Sequence, residues 1–258
     1  MEPASDAKSV VLGGRRPLII AHRGNSSEAP ENTLPAFRSA VALKVDFVEL
    51  DYHTTADGIP LVIHDKTLDR TTNAVALWGT GKAAVARYKL AELRPLDAGA
   101  WLNKKFAGTK LSTLEEALDV IQAGSMTMIE HKAGDAKTLV DLLAKKKLSG
   151  SLIVQSFDWK FITECHQLEP KLLLGALGDK ELKPEQLDQI AKTGASVVGW
   201  NQKYIHKADI DLIHARGYKS WVYTVDDSAR AKELIDAGID GIISNRPAAM
   251  LEVRNSAH

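Results

Sequence analysis

A chain of 258 residues can bury one large core, and single-domain α/β barrels commonly run to about 250 residues, so one domain is a better expectation than two. With 45% hydrophobic and 26% charged residues the composition is that of a folded globular protein, and no apolar run approaches the length of a membrane span. Lys plus Arg equals Asp plus Glu at 33 each, with the basic residues scattered, which argues against a nucleic-acid partner held through its phosphates.

Residues 1–16 read as an N-terminal extension. The stretch from Met1 to Lys8 has neither the basic nor the apolar region of a signal peptide. A cytoplasmic location is expected if the chain is complete, and a periplasmic or secreted one if a leader was removed. The lone Cys165 excludes an intrachain disulfide framework without fixing the compartment.

From residue 17 to 254 short apolar runs alternate with helical periodicity, the pattern of βα units. The first run, Pro17–Ala21, ends at His22-Arg23. A helix follows over 32–44, with Asn32 as its cap and Pro35 in its first turn. The second run, Phe47–Tyr52, carries Glu49 and Asp51. An additional run, Gly58–His64, ends at His64-Asp65 inside a turn-rich interval, and residues 53–112 are therefore expected to be an insertion with its own small structure. Next come a helix at 113–123 stopped near Gly124, the run Met126–His131 with Glu130 and Lys132 at its end, and a helix at 135–147 whose Lys145-Lys146-Lys147 tail is a solvated helix end. The remaining runs are Leu152–Ser156, Leu172–Leu177, Ser196–Trp200, Ser220–Val225 and Gly241–Ser244. Helices are expected at 158–167, 184–193, 206–216 with a stop at Gly217, and 228–237 capped by Ser228, then a terminal turn near 247–253. Eight strands alternating with helices predict a (β/α)₈ TIM barrel with an insertion after the second strand; a doubly wound open sheet shares the local pattern.

In such a barrel the strand C-termini converge on one face, and ionisable residues collect there. Glu49 and Asp51, two apart on a strand, point to one face while Val48 and Leu50 point to the other. Like charges that close repel unless a cation lies between them, and carboxylate oxygens suit Mg²⁺ or Ca²⁺, with Glu130 as a third ligand. The alternative is a set of surface carboxylates screened by Lys and Arg, with Glu130 paired to Lys132. His22 and His64 have the residue type for general acid and base, since imidazole titrates near neutrality. A hydrogen-bonded structural role is the alternative for each. Arg23 offers a planar fork to a phosphate, which Lys132 can assist as a point charge; a salt bridge to Glu49 or Asp51 is its other reading. His53 continues the Glu49 and Asp51 side of the strand, His131 should face away, and His166, His206 and His214 lie in expected helices.

The blocks His22-Arg23-Gly24, Ala29-Pro30-Glu31-Asn32-Thr33, Val48-Glu49-Leu50-Asp51, Leu61-Val62-Ile63-His64-Asp65 and Leu68-Asp69-Arg70-Thr71-Thr72 resemble, in order and spacing, the glycerophosphodiester phosphodiesterase family. Leu96-Asp97-Ala98-Gly99-Ala100-Trp101, Thr113-Leu114-Glu115-Glu116 and Asp240-Gly241-Ile242-Ile243 extend the likeness over residues 17–250 or so. The resemblance implies metal-dependent hydrolysis of a small-molecule glycerophosphodiester to glycerol 3-phosphate and an alcohol. It further implies a divalent ion on Glu49, Asp51 and Glu130, His22 and His64 as the acid–base pair, and Arg23 on the phosphate. Lysophospholipids or other phosphodiesters are alternative substrates, and a non-catalytic phospho-ligand-binding barrel is an alternative class. No integral membrane association is expected, and nothing in the residues specifies an oligomeric state. The family pattern is broken at Tyr223-Thr224-Val225-Asp226, where Trp-Thr-Val-Asn is usual, and at Ser244-Asn245, where Thr-Asp is frequent. Tyr223 remains a candidate aromatic wall of the substrate pocket; Asp226 and Asn245 bear on which alcohol is accepted.

Overall fold

The computed structural model describes residues 6–14, 16–79 and 81–256. Its strands, in chain order, are β1 (Leu18–Ala21), β2 (Phe47–Thr54), β3 (Pro60–Val62), β4 (Met126–His131), β5 (Leu152–Ser156), β6 (Leu173–Gly178), β7 (Val197–Asn201), β8 (Lys219–Tyr223) and β9 (Gly241–Ser244). All but β3 are parallel neighbours in a closed ring, because β1 pairs with both β2 and β9. Closure decides for the TIM barrel over the open sheet. β3 lies outside the ring, antiparallel to the end of β2, with Tyr52 opposite Val62.

The barrel helices sit where periodicity places them: α2 (Leu34–Ala42), α5 (Leu114–Ile121), α6 (Ala136–Lys146), α7 (Trp159–Leu168), α8 (Pro184–Ile190), α9 (Lys207–Ala215), α10 (Ser228–Asp236) and α11 (Pro247–Ser256). Three more, α1 (Ala7–Gly13), α3 (Ala74–Trp78) and α4 (Leu90–Leu93), lie outside the repeat. Local chemistry sets the ends. Thr113 and Glu116 form a reciprocal capping box at α5, and the Asp135 and Asp158 carboxylates cap α6 and α7. Two caps differ from expectation. Asp227, not Ser228, caps α10, its carboxylate accepting from the Arg230 N–H at 2.7 Å; it precedes the first helical residue, where a cap must stand. Thr33 occupies the cap position of α2, and Asn32 is spent elsewhere, as described below. The terminal turn is a full helix, α11, tied down by its buried Arg254 pairing with Asp46 at 2.6 Å.

Alternation along the strands builds two apolar layers and one polar one. Val48, Leu50, Ile129 and Val154 face outward beneath the helices. Phe47, Met128, Ile153 and Trp221 face inward and fill the barrel floor, where Ala7 and Val11 of α1 join them. The N-terminal extension thus plugs the bottom of the barrel; its residues 1–5 and 15 lie outside the described residues. Higher on the same inward faces come Glu49, Asp51 and Glu130, so the interior changes from apolar at the floor to ionisable at the rim. The segment between β2 and α5 carries its own small core of Leu61, Ile63, Leu68, Leu93, Leu96 and Leu111, with α3 and α4, beside that rim. Among the described residues no helix is long and apolar enough to cross a membrane.

Candidate active site

Parallel register sets Asp51 of β2 beside Glu130 of β4. Glu49, one pleat below Asp51, completes a cluster in which ligand oxygens of all three lie within 4.8 Å of one another. All three are buried, Glu49 and Asp51 at 0% exposure and Glu130 at 7%. Glu49 Oε2 accepts from the Arg23 backbone N–H at 2.7 Å. Asp51 Oδ2 accepts from Asn32 Nδ2 at 2.8 Å, while Asn32 Oδ1 accepts from the Asp51 N–H at 3.1 Å. Glu49 Oε1 has no hydrogen-bond partner, and Asp51 Oδ1 has only the Lys132 ammonium at 3.2 Å. Burying carboxylate oxygens unsatisfied is costly unless a cation takes up their charge. Three hard oxygen donors converging this way fit a divalent ion such as Mg²⁺ or Ca²⁺.

The backbone is shaped to deliver those donors. Arg23 (φ 56°), Gly24 (φ 84°) and Asn32 (φ 58°) are left-handed, a conformation disfavoured for side-chain-bearing residues and common at functional turns. Gly24 is required twice over, since a Cβ there would also lie 2.7 Å from the Ala36 backbone.

Electrostatics follow from the crowding. Burial, then Asp51 and Glu130, push Glu49 well above the usual carboxylate range; burial and Asp51 push Glu130 up to about 7 despite Lys132. For Asp51 burial acts upward, but Lys132, Arg23 and both imidazoles outweigh it and hold the group low. Lys132 bonds Glu130 and lies against Asp51, so the pairing weighed as the alternative for Glu130 is made inside the carboxylate cluster itself. Arg23 likewise makes the ion pair weighed for it, Nε to Asp51 Oδ2 at 3.3 Å, and a second from Nη1 to Glu31 at 2.8 Å.

His22 and His64 both act on Asp51 and so belong to this cluster. Each is held by its Nδ1. His22 Nδ1 lies 2.7 Å from Asn245 Oδ1, and burial together with Arg23 pushes its imidazole down to about 4. His64 Nδ1 lies 2.7 Å from Asp65 Oδ1. Arg70 then grips Asp65 through Nε and Nη2 at 2.6 and 2.9 Å, and Glu31 through Nη1 and Nη2 at 2.7 and 2.8 Å. These bonds hold Asp65 well below the usual carboxylate range.

His53 lies beside the site, its Nε2 donating to the His64 carbonyl at 3.0 Å; burial pushes its imidazole down, against the pull of that bond and of the Asp51 charge. His131 faces away, stacked on Phe161 at 3.5 Å. Tyr223 donates its hydroxyl to the Gly178 carbonyl at 2.6 Å and meets Phe157 edge-on at 6.0 Å; Phe157, 46% exposed, lies 6.0 Å from the Lys132 ammonium. Glu31 and Arg70 were legible only as members of sequence blocks; the sequence pattern marks Asn32 as a helix cap and Asp65 as the residue ending a run beside His64, neither as a partner of Asp51 or of the His64 ring. Nothing local marked Phe157, although it directly follows a barrel strand.

Fold and site together define a barrel with a buried carboxylate cluster at its rim that could hold a cation, flanked by two anchored imidazoles and two cationic side chains. Residues 22–249 match the profile of the Glycerophosphoryl diester phosphodiesterase family. The chain is 34% identical to a glycerophosphodiester phosphodiesterase of Bacillus subtilis, over 98% of this chain and 92% of that protein. It is 31% identical to another from Caldanaerobacter subterraneus, over 92% and 97%. Among solved structures, an Oleispira antarctica phosphodiesterase in complex with its product sn-glycerol-3-phosphate superimposes with a TM-score of 0.85 at 28% identity, covering 93% of this chain and 97% of that one. The chain belongs to the glycerophosphoryl diester phosphodiesterase family and is an enzyme of the phosphoric diester hydrolase class.

Proposed function

We propose that the protein hydrolyses small glycerophosphodiesters to glycerol 3-phosphate and an alcohol, with Glu49, Asp51 and Glu130 holding a divalent ion, Mg²⁺ or Ca²⁺. The observation that carries this is the buried carboxylate trio, with Glu49 Oε1 unpartnered and Asp51 Oδ1 facing only the Lys132 ammonium, beside two imidazoles each anchored through Nδ1. Bound there, the ion would neutralise charge on the phosphodiester and polarise it. Arg23 and Lys132 supply further positive charge to the phosphate oxygens. One imidazole removes the proton of the attacking oxygen, which belongs to water or to the neighbouring glycerol hydroxyl, and the other protonates the departing alkoxide. Tyr223 and Phe157 form an aromatic wall for the alcohol.

Release of choline from glycerophosphocholine, assayed with each metal and with chelator, tests the reading. Metal-dependent turnover is expected; a protein that binds the diester without releasing alcohol would instead be a phospho-ligand-binding barrel. The exposed Phe157 ring beside Tyr223 favours one second reading, an alcohol with apolar surface such as a lysophospholipid, and a substrate panel containing lysophosphatidylcholine separates the two.

A further inference from the structure

The two imidazoles are anchored to different chemistry. His64 faces a carboxylate, whereas His22 faces a neutral amide, and that amide is itself held in a fixed orientation. Asn245 Nδ2 donates to Asp226 Oδ2 at 2.7 Å. Asp226 Oδ1 accepts both the Asn245 backbone N–H at 2.8 Å and the Ser244 hydroxyl at 2.9 Å. On the other side, Ser26 Oγ donates to Asn245 Oδ1 at 2.9 Å, the same oxygen that meets His22 Nδ1. Turning the amide over would set its oxygen against a carboxylate and forfeit the Asp226 bond, so the assignment of oxygen and nitrogen rests on chemistry and not on atom labels. An amide oxygen can only accept. His22 Nδ1 must therefore carry a hydrogen, and Nε2, on the other side of the ring from Asn245, carries the lone pair of the neutral ring.

We propose that Asn245, locked by Asp226, is a positioning residue that fixes His22 as the Nδ1–H tautomer and so presents Nε2 as a proton acceptor. This rests on the reading of His22 as an acid–base group. Asp226 comes from the loop after β8 and Asn245 from the end of β9, so the clamp forms when those two strands pair, and it reaches His22 only when β9 meets β1 across the ring. A bond that merely tied two loops together would not select a ring tautomer.

The test reads the tautomer directly. In ¹⁵N-histidine-labelled protein, the His22 ring signals are assigned by their loss in His22→Ala, and the long-range proton–nitrogen pattern shows which nitrogen bears hydrogen. The expected result is Nδ1–H at neutral pH in the wild type. An Nε2–H ring there would overturn the proposal whatever the activity, and needs no variant of the clamp to fold. Asn245→Leu removes the acceptor and should let the Nε2–H form appear, with kcat down about 10-fold or more, since a wrong tautomer disables a catalytic imidazole, and KM little changed. The exchanged pair Asp226→Asn with Asn245→Asp keeps an acceptor on His22 and a hydrogen-bonded clamp behind it, and should restore Nδ1–H and most of kcat. Loss of kcat in Asn245→Leu with the tautomer unchanged would overturn the proposal. The acid–base reading fails separately, if purified His22→Ala retains near-normal turnover.

Discussion

At the scale of single residues, the site is a set of charges that tolerate one another only in combination. His22→Ala and His64→Ala should each lower glycerophosphocholine turnover at least ~100-fold, the low end of what positioned acid–base groups contribute. A purified, folded variant with close to wild-type kcat would remove that histidine from the chemistry. The raised carboxyls bear on metal binding. Because Glu130 is pushed to about 7 and Glu49 higher than usual, a divalent ion must displace protons to bind below that pH. Apparent affinity should therefore climb between about pH 5 and 7, roughly tenfold per pH unit for each proton displaced. Titration calorimetry in buffers of different ionisation heat should register the released proton, and an affinity flat across this window would contradict the charge arrangement. At this same scale, Asp226 and Asn245, which separately looked like departures from a family pattern, are one feature: a carboxylate and an amide joined by a hydrogen bond behind His22.

At the scale of elements, what holds the rim is mostly built far from it. Asp46, at the start of β2, accepts from Arg254 of α11 at 2.6 Å and from the Ile19 N–H of β1 at 2.8 Å, so the last helix is keyed to the first two strands. Both partners of the ion pair are 8% exposed. Removing one partner of a buried pair typically costs about 3 kcal/mol or more by leaving an uncompensated charge, but here the half-exposed Arg16 also pairs with Asp46, Nη2 to Oδ1 at 2.7 Å, and compensates part of it. Arg254→Ala, with Arg16 still in place, should therefore lower stability in urea by about 1–3 kcal/mol with kcat nearly unchanged, because the pair sits at the end of the barrel opposite the site. A loss under ~1 kcal/mol, within the range of an exposed pair, would show that solvent screens it. Element positions followed from periodicity with few exceptions. Those exceptions were ends and additions: caps one residue away from expectation, a C-terminal helix longer than a turn, the short α3 and α4 of the excursion, and α1, seven residues long, whose apolar face is placed only once Ala7 and Val11 meet the barrel floor.

At the scale of the whole molecule, metal binding and folding are linked, since the carboxylate cluster exists only in the closed barrel. A ligand at 100 times its Kd stabilises the native state by about 2.7 kcal/mol, worth roughly 5–10 °C in Tm for a chain of this size. A thermal scan at pH 7.5 with saturating Mg²⁺ or Ca²⁺ should show such a rise, reversed by chelator and diminished in Glu49→Gln. An equal rise in that variant would place the ion elsewhere. The sign with pH is fixed by Glu130: its folded-state value is raised, so without metal the stability it contributes is complete below about 4.5 and lost as pH rises through about 7. The metal-induced gain in Tm should grow across that interval.

The alternation of eight strands with helices, the common face of Glu49 and Asp51, and the place of His22, Arg23, His64 and Glu130 at strand ends were legible in the chain's own order, because side-chain alternation and strand-end position are local properties; ring closure, which makes the sheet a barrel, was not. The excursion after β2 was legible too, as a break in an otherwise regular rhythm. Only the tertiary structure decided what each polar group faces. Asn32 turned from helix cap to Asp51 partner, Glu31 and Arg70 became the braces of Arg23 and Asp65, and Phe157 emerged at the mouth. Asp226 and Asn245 met behind His22. The contacts of His22 with Asn245, of Asn32 with Asp51 and of Arg70 with Glu31 join separate segments, whose distances are set by ring closure and register; Glu31 with Arg23 and Arg70 with Asp65 are close in sequence but depend on loop conformations that no strand or helix period encodes.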